Sequence, residues 1–445
     1  MLRWFARSMA RVYYPRFEVT GGDQIPTSGP VLLCANHANS MLDPVVLGSA
    51  AVRRVKFFAK APLFETPLLG PLMTALGMIP AYRGMDDPKQ VRKNLESLDR
   101  GIDELLAGNA VGIFPEGKSH DKLQVEKVRS GAARIAIQAV ERGAKQLVVV
   151  PVGLNYECKD RFRSSVWVQV GEPIHMCEWI AQQAEVQNER QLTRRFTGEL
   201  QTRLEAVTIH LDEEQWQPWV DDLDLLAPHA ANDGHDRVPE LRRRKRIADA
   251  INHFLQCDRD GALAIAKQIE QFREAVCAAG LRPRAAVLQY PFGAALLRLL
   301  WQACWLLVLL LPALAGTVFH LIPFFCVRAI ARLLTPPGRT AVSFYRLLVG
   351  FPFYLGWYLL ATVAIYWQTL SWNYAALVTV MPLLGLLALH YWRAARRIGG
   401  DVWCELLALA RPVGTKAILQ QRGQLVVQIS ELADEYVRRR DAATR

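Results

Sequence analysis

Two stretches without a single charged residue constrain this chain more than any other feature: Leu299–Val327, 29 positions, and Leu347–Trp392, 46 positions. A soluble core helix does not stay uncharged for so long. At about 1.5 Å per residue the second stretch measures roughly 69 Å, enough for two crossings of a hydrocarbon layer about 30 Å thick, with Gln368 to Asn373 as the far-side turn. The first reaches roughly 43 Å, too short for two crossings and generous for one. Arg328, Arg332, Arg339 and Arg346 lie between the two stretches, and Arg393, Arg396 and Arg397 follow the second. Arginine clusters next to spans stay on the cytoplasmic side. The arrangement that keeps both there is a re-entrant or kinked hairpin over 299–327, bent near Pro312 and Gly316, followed by spans at 347–367 and 374–392.

The rest of the 445 residues carries charges of both signs, whereas Phe292–Gly400 holds eight arginines and no Lys, Asp or Glu. The formal net charge of +11 therefore suits an anionic lipid surface. Nucleic acid is not an expected partner: there is no zinc-finger spacing or helix-turn-helix cue, and the dense basic run Arg242, Arg243, Arg244, Lys245, Arg246 reads first as a solvated helix face and next as a lipid headgroup contact. Eight cysteines without a CxxC pair suggest neither a disulfide framework nor a metal knuckle, and no metal or cofactor is expected. Residues 1–14 interleave arginines with apolar side chains, as an amphipathic interfacial helix does.

Between Val31 and Gly171 apolar, β-branched runs alternate with helical patterns, which predicts an α/β domain with a mixed, partly parallel sheet flanked by helices. Expected strands are 31–34, 55–59, 78–82, 110–114, 147–154 and 166–170. Val91, Leu95, Leu98, Ile102, Leu105 and Leu106 form one apolar helix stripe. This domain spans 15–177. A helical cytoplasmic segment, 178–290, follows, with a loop over Pro218–Pro239; then come the membrane-embedded helical region 291–400 and a cytoplasmic helical tail, 401–445.

Four clusters carry chemistry. The first, Asn36-His37-Ala38-Asn39-Ser40-Met41-Leu42-Asp43-Pro44, follows a strand. Histidine titrates near neutrality and can take a hydroxyl proton, and a carboxylate on its other ring nitrogen fixes the tautomer. Asp43 before Pro44 is equally a good helix start. The second, Gly77-Met78-Ile79-Pro80-Ala81-Tyr82-Arg83-Gly84, offers an arginine fork for phosphate or a surface salt bridge. The third, Gly112-Ile113-Phe114-Pro115-Glu116-Gly117-Lys118-Ser119-His120, runs from a strand into a polar turn. Its backbone amides near Phe114–Gly117 could hold an oxyanion. The fourth, Val150-Pro151-Val152-Gly153-Leu154-Asn155-Tyr156, is a strand end.

In this order and spacing, NHANSMLD, GMIPAYRG, FPEGKSHDK and VPVGLNY resemble the four sequence blocks of the glycerolipid acyltransferase family, which includes glycerol-3-phosphate and 1-acylglycerol-3-phosphate O-acyltransferases. The resemblance covers roughly residues 15–175. Five residues, rather than the family's usual four, separate His37 from Asp43. That spacing, with RFRS at Arg161–Ser164, is similar to the branch of fungal-type glycerol-3-phosphate and dihydroxyacetone phosphate acyltransferases. The resemblance implies that His37 and Asp43 are the catalytic pair and that Arg83, Glu116 and Gly117, with Lys118 and Ser119, bind the acceptor phosphate or glycerol. It also implies acyl-CoA or acyl carrier protein as donor, membrane lipids as partners and a catalytic domain on the cytoplasmic face, at the inner membrane if the source is bacterial. Other lysophospholipids or dihydroxyacetone phosphate remain alternative acceptors. A hydrolase and a non-catalytic lipid-binding protein are the competing classes.

Overall fold

The computed structural model describes residues 2–67, 69–82, 91–183, 185, 188–226, 238–284, 288, 292–335 and 338–443. It divides into two units, one formed by 1–217, 231–249 and 336–344, the other by 218–230, 250–335 and 345–445.

The first unit is built on an eight-stranded sheet: β1 (Arg16–Thr20), β2 (Val31–Ala35), β3 (Val55–Lys60), β4 (Ile79–Ala81), β5 (Ala110–Ile113), β6 (Val148–Tyr156), β7 (Ser165–Val170) and β8 (Ile174–His175). The order is β1-β7-β6-β2-β5-β3-β4, with β8 also pairing β6. From β6 through β4 all pairings are parallel, while β7 and β8 run antiparallel to β6. Its helices are α1 (Leu2–Tyr13), α2 (Asp43–Ala50), α3 (Leu69–Leu76), α4 (Val91–Leu106), α5 (Gly131–Glu141), α6 (Met176–Ala181) and α7 (Glu189–Val207).

Both faces of the sheet are covered, which is why its central strands read as unbroken apolar runs. On one face Leu32, Cys34, Val111 and Val149 pack against Ile102 and Leu105 of α4, Ile135 of α5, and Phe196, Leu200 and Leu204 of α7. Alternation sends Val31 and Leu33, both fully buried, to the other face. There α2 packs against β6 and β7, and Arg7 of α1 donates to Gly48 O and Ala51 O at 2.7 and 2.9 Å.

Three expectations need correction in this unit. Edge strand β1 escaped the sequence pattern because Arg16 and Glu18 interrupt its apolar run, and its hydrogen bonds to β7 supply the missing drive. The α4 stripe is narrower than expected: Ile102 and Leu105 are buried, but Leu95 and Leu106 are exposed. Pro218 does not begin a loop; it lies in the helix Gln217–Leu226, at a position where a missing N–H costs nothing.

Among the described residues three helices are long and apolar enough to cross a membrane: Leu296–Leu334, Val342–Thr369 and Trp372–Ala410. The hairpin expected near Pro312 and Gly316 does not form. Phe292–Leu334 is one helix of 43 residues that holds Pro312 and Pro323 in its interior. Proline removes one backbone bond and kinks a helix without reversing it. Gly316 serves a helix crossing instead: a Cβ there would lie 2.2 Å from Leu384 O, and one on Gly385 would lie 2.6 Å from the His320 ring. His320 also meets Tyr358 Oη at 2.7 Å. The second and third apolar helices break at Leu370 and Ser371, inside the interval Gln368–Asn373, where Leu370 takes a φ of 48°. Beyond them, Pro412–Ala443 is helical, and its Ile418, Leu425 and Ile429 share a core with Ile269, Phe272 and Val276.

Candidate active site

Strand β2 lies between β5 and β6, so the C-terminal ends of three parallel neighbours converge at one edge of the sheet. Ligands of open α/β sheets bind outside such ends. The chain leaving β2 is stitched to β6 by Asn36, whose side chain donates to Leu154 O at 3.2 Å and accepts from Leu154 N at 2.7 Å. His37 follows. Ser40 adopts a φ of 40°, a single 3₁₀ turn covers Ser40–Leu42, and α2 begins at Asp43 with Pro44 in its first turn.

That turn folds Asp43 back onto His37. Asp43 Oδ2 lies 2.8 Å from His37 Nδ1 and accepts the Asn39 N–H at 2.7 Å, while Oδ1 accepts the Tyr156 hydroxyl at 2.6 Å. Asp43 is fully buried, and three donors replace the water it has lost. The carboxylate thus orients an imidazole and does not cap its own helix. With Nδ1–H given to Asp43, Nε2 is the ring atom left for a substrate proton. Burial and the neighbouring Asp43 charge raise the Tyr156 hydroxyl well above its usual range, so it stays a proton donor at neutral pH. Phe114 stacks on the His37 ring with centroids 4.4 Å apart.

The loop after β5 brings Glu116, almost wholly buried, to the same place. Its Oε2 accepts the His37 backbone N–H at 3.0 Å and lies 2.9 Å from His120 Nε2. Its Oε1 is buried without a hydrogen-bond partner among the described residues. An unmatched carboxylate oxygen is costly in an apolar setting, and a substrate hydroxyl is the donor that would match it. Gly117 turns the chain with a φ of 77°, and a Cβ there would come 3.0 Å from Arg129 Nε. Its own N–H donates to Phe114 O at 3.1 Å.

The structure thus brings His37, Asp43 and Glu116 together. Lys118 is exposed and pairs with Glu126 at 2.9 Å, while Ser119 is half-buried in the same loop. Arg83 lies outside the described residues. Five further residues that sequence reasoning left without a role brace the site. His120 and Asn39 stand inside quoted motifs, and Tyr156 ends the fourth. Lys159 has no motif to mark it: its ammonium donates to Ala38 O at 2.6 Å and His120 O at 2.7 Å and pairs with Asp121 at 2.7 Å, latching the first loop to the third. Tyr14, fully buried, accepts from Asn39 Nδ2 at 2.7 Å and donates to Lys159 O at 2.6 Å.

Comparison with known proteins agrees with this geometry. Residues 16–155 match the family model described as Acyltransferase. An uncharacterized acyltransferase of Schizosaccharomyces pombe is 22% identical over 94% of this chain and 66% of its own length. The glycerol-3-phosphate O-acyltransferase 2 of Saccharomyces cerevisiae is 39% identical over 18% of this chain and 11% of its own. A chloroplastic 1-acyl-sn-glycerol-3-phosphate acyltransferase of Arabidopsis thaliana is 30% identical over 32% and 37%. In each case the chain spans less than two thirds of the relative's length. Residues 16–155 thus match an acyltransferase domain, and relatives similar to this chain carry the names glycerol-3-phosphate O-acyltransferase and 1-acyl-sn-glycerol-3-phosphate acyltransferase.

Proposed function

We propose that the protein is an O-acyltransferase that moves a fatty acyl group from acyl-CoA or acyl carrier protein to a hydroxyl of glycerol 3-phosphate or 1-acylglycerol 3-phosphate. The observation that carries this is the His37–Asp43 pair at 2.8 Å beside the unmatched oxygen of Glu116. His37 Nε2 takes the proton of the acceptor hydroxyl as its oxygen attacks the thioester carbonyl. The tetrahedral intermediate expels the thiolate, the C–S bond breaks, and the imidazolium returns its proton to the leaving sulfur. Glu116 holds a second acceptor hydroxyl, and Lys118, Ser119 and Arg83 are the candidates for its phosphate. Water is the competing nucleophile, and a hydrolase would release free fatty acid.

Three apolar helices associate the chain with a membrane. This suits a lipid acceptor, which partitions into a bilayer at about 0.8 kcal/mol per buried methylene and is best met at the interface. The acyltransferase domain then lies on the cytoplasmic face. Two contacts support this: Arg339, in the four-arginine connection between the first two apolar helices, pairs with Asp160 at 2.8 Å, and Ser343 accepts from Tyr13 at 3.0 Å. Arg339 belongs to the same unit as the acyltransferase domain, and arginines beside apolar spans favour the cytoplasm. A cysteine introduced as Thr335→Cys should be reachable from that side only; labelling from outside overturns the orientation.

The deciding experiment is an acceptor panel with labelled acyl-CoA and acyl carrier protein, using purified protein and the His37→Ala variant as blank. Transfer to phosphate-bearing glycerol acceptors is expected. Release of free fatty acid whether or not acceptor is present, or equal turnover by the blank, overturns the proposal.

A further inference from the structure

Between Phe292 and Gly400 arginine is the only charged residue type, so these cations have no carboxylate on their own segment. Four of them meet in the second unit. Arg328 and Arg332 stand one turn apart on the helix Phe292–Leu334, Arg346 lies near the start of the helix Val342–Thr369, and Arg396 belongs to the helix Met381–Ala410.

Helix packing brings them together. A Cβ on Gly350 would lie 3.6 Å from Val327 Cγ1, and Trp357 Nε1 donates to Phe319 O at 3.1 Å. The first two helices therefore run antiparallel, and Arg346, one turn before Gly350, falls beside Arg328 and Arg332. The third helix touches the first where Trp392 Nε1 donates to Thr317 Oγ1 at 2.8 Å, and Arg396 follows Trp392 by one turn. Arg332, Arg346 and Arg396 are the cations whose fields reach Arg328.

Such a gathering is unfavourable by itself. Like charges one turn apart on a helix repel, and apolar surroundings strengthen the repulsion. Arg328 lies over the Phe324 ring at 4.3 Å, which attracts a cation without neutralising it. Arg328, Arg332 and Arg396 have no ion-pair partner among the described residues. The missing component is an anion, and the surroundings say which kind. Phe325, Leu333 and Leu334 on the first helix and Phe351 on the second are exposed apolar side chains beside the cluster. A soluble anion would use the guanidinium groups alone. A phospholipid uses both features, because its phosphate accepts from planar arginine forks while its chains cover apolar side chains.

We propose that Arg328, Arg332, Arg346 and Arg396 form a binding site for the headgroup of one anionic phospholipid, whose acyl chains lie along the flanking apolar side chains. A basic membrane surface attracts many lipids weakly; arginines converging from three helices select one and hold it. The site stands apart from the acyl-transfer reading, which assigns none of the four a part.

The test uses the full chain, stripped of lipid in dodecyl maltoside and equilibrated with an equimolar mixture of phosphatidylcholine and phosphatidylglycerol. Native mass spectrometry counts the lipids that remain bound. The wild type should retain one phosphatidylglycerol per chain. Arg328→Gln/Arg332→Gln should weaken that retention roughly tenfold or more, the worth of lost charge-assisted bonds. Arg298→Gln/Arg397→Gln, an equal loss of charge at residues whose fields act on Asp401, should leave it in place. Inorganic phosphate in excess should not displace the lipid. The site is overturned if the wild type retains both lipids alike, if the two variants lose phosphatidylglycerol equally, if the cluster variant loses none, or if inorganic phosphate displaces it. Should the cluster variant fail to reach the membrane fraction, Arg328→Lys/Arg332→Lys keeps the charge and removes the forks. That variant should lose most of the preference for phosphatidylglycerol, and an unchanged preference overturns the site.

Discussion

Val52 in the acyltransferase unit and Leu311 in the helical unit are exposed to almost the same degree, 81% and 76%, yet the two exposures mean different things. Val52 stands singly in its loop, after buried Ala51 and before Arg53 and Arg54, as scattered apolar side chains do on a water-facing surface. Around Leu311 the neighbours Leu307, Val308, Leu314 and Val318 are exposed as well. The polar side chain there is satisfied by its own helix instead: Thr317 Oγ1 donates to Ala313 O at 2.7 Å. One unit is organised against water and the other against hydrocarbon. The difference teaches that the chemistry of this protein sits in the unit where burial has to be compensated polar atom by polar atom.

The sharpest way to break that comparison is to remove its central imidazole. His37→Ala should lower the turnover number about a hundred- to ten-thousandfold, or roughly 2.7 to 5.5 kcal/mol of transition-state stabilisation, with unfolding unchanged. Steady-state rates on folded, purified variant decide this, and a loss below tenfold refutes a base at position 37. The comparison itself is tested by a matched pair of substitutions. Leu311→Asp should cost about 2.5 to 3.5 kcal/mol of membrane insertion, visible as loss from the membrane fraction. Val52→Asp should alter stability by no more than about 0.5 kcal/mol. Equal behaviour of the two variants would mean that the long helices are not lipid-facing.

What could be read from residue order follows the same division. Strands β2, β5 and β6 are runs of largely apolar side chains because both sheet faces are covered, so their pattern declares them. Strand β1 is held by pairing with β7, and pairing partners leave no mark in the local sequence. The site is legible to the extent that it is local: His37 and Asp43 are six apart and meet through one turn. Glu116 arrives from a strand that neighbours β2 only in space, and the blocks reveal it only as a set. Lys159, Tyr14 and Ser343 were invisible because tertiary packing alone gives them their partners, as when Tyr13 reaches Ser343 across 330 positions. The mistaken hairpin has the same origin. Proline and glycine suggest a turn, but the neighbour that requires Gly316 to lack a side chain is Leu384.

Asp401 and Glu405 lie near the end of the third apolar helix itself, whereas Glu157 shows how the water-facing unit handles a half-buried carboxylate. Burial works to raise its pKa, yet the Ser165 hydroxyl at 2.8 Å and the Arg161 and Arg16 guanidinium groups outweigh it and hold the group below the usual range. A depressed folded-state pKa contributes stability that is complete above the unfolded value of about 4.3 and is lost as pH falls through the folded value. Glu157→Gln should flatten that acid limb of the unfolding curve and leave stability above neutrality only modestly changed. Chemical denaturation of the full chain at stepped pH values measures it, and an unaltered acid limb excludes Glu157 as its source.

The finest test concerns Tyr156, because it separates a positioning role from a structural one. Its hydroxyl donates to Asp43 Oδ1 at 2.6 Å, and burial with the adjacent Asp43 charge keeps it protonated across the assay range. Tyr156→Phe deletes that bond and retains the ring. Asp43 then keeps two donors, the His37 ring and the Asn39 amide, and its negative charge falls more fully on the imidazole. The carboxylate is then held by one fewer contact and orients the ring less firmly. The turnover number should therefore fall roughly tenfold or less, the net value of about one hydrogen bond, with the acceptor KM unchanged. A change in thermal stability with an unmoved turnover number would show that the hydroxyl holds β6 to the loop and has no influence on the base.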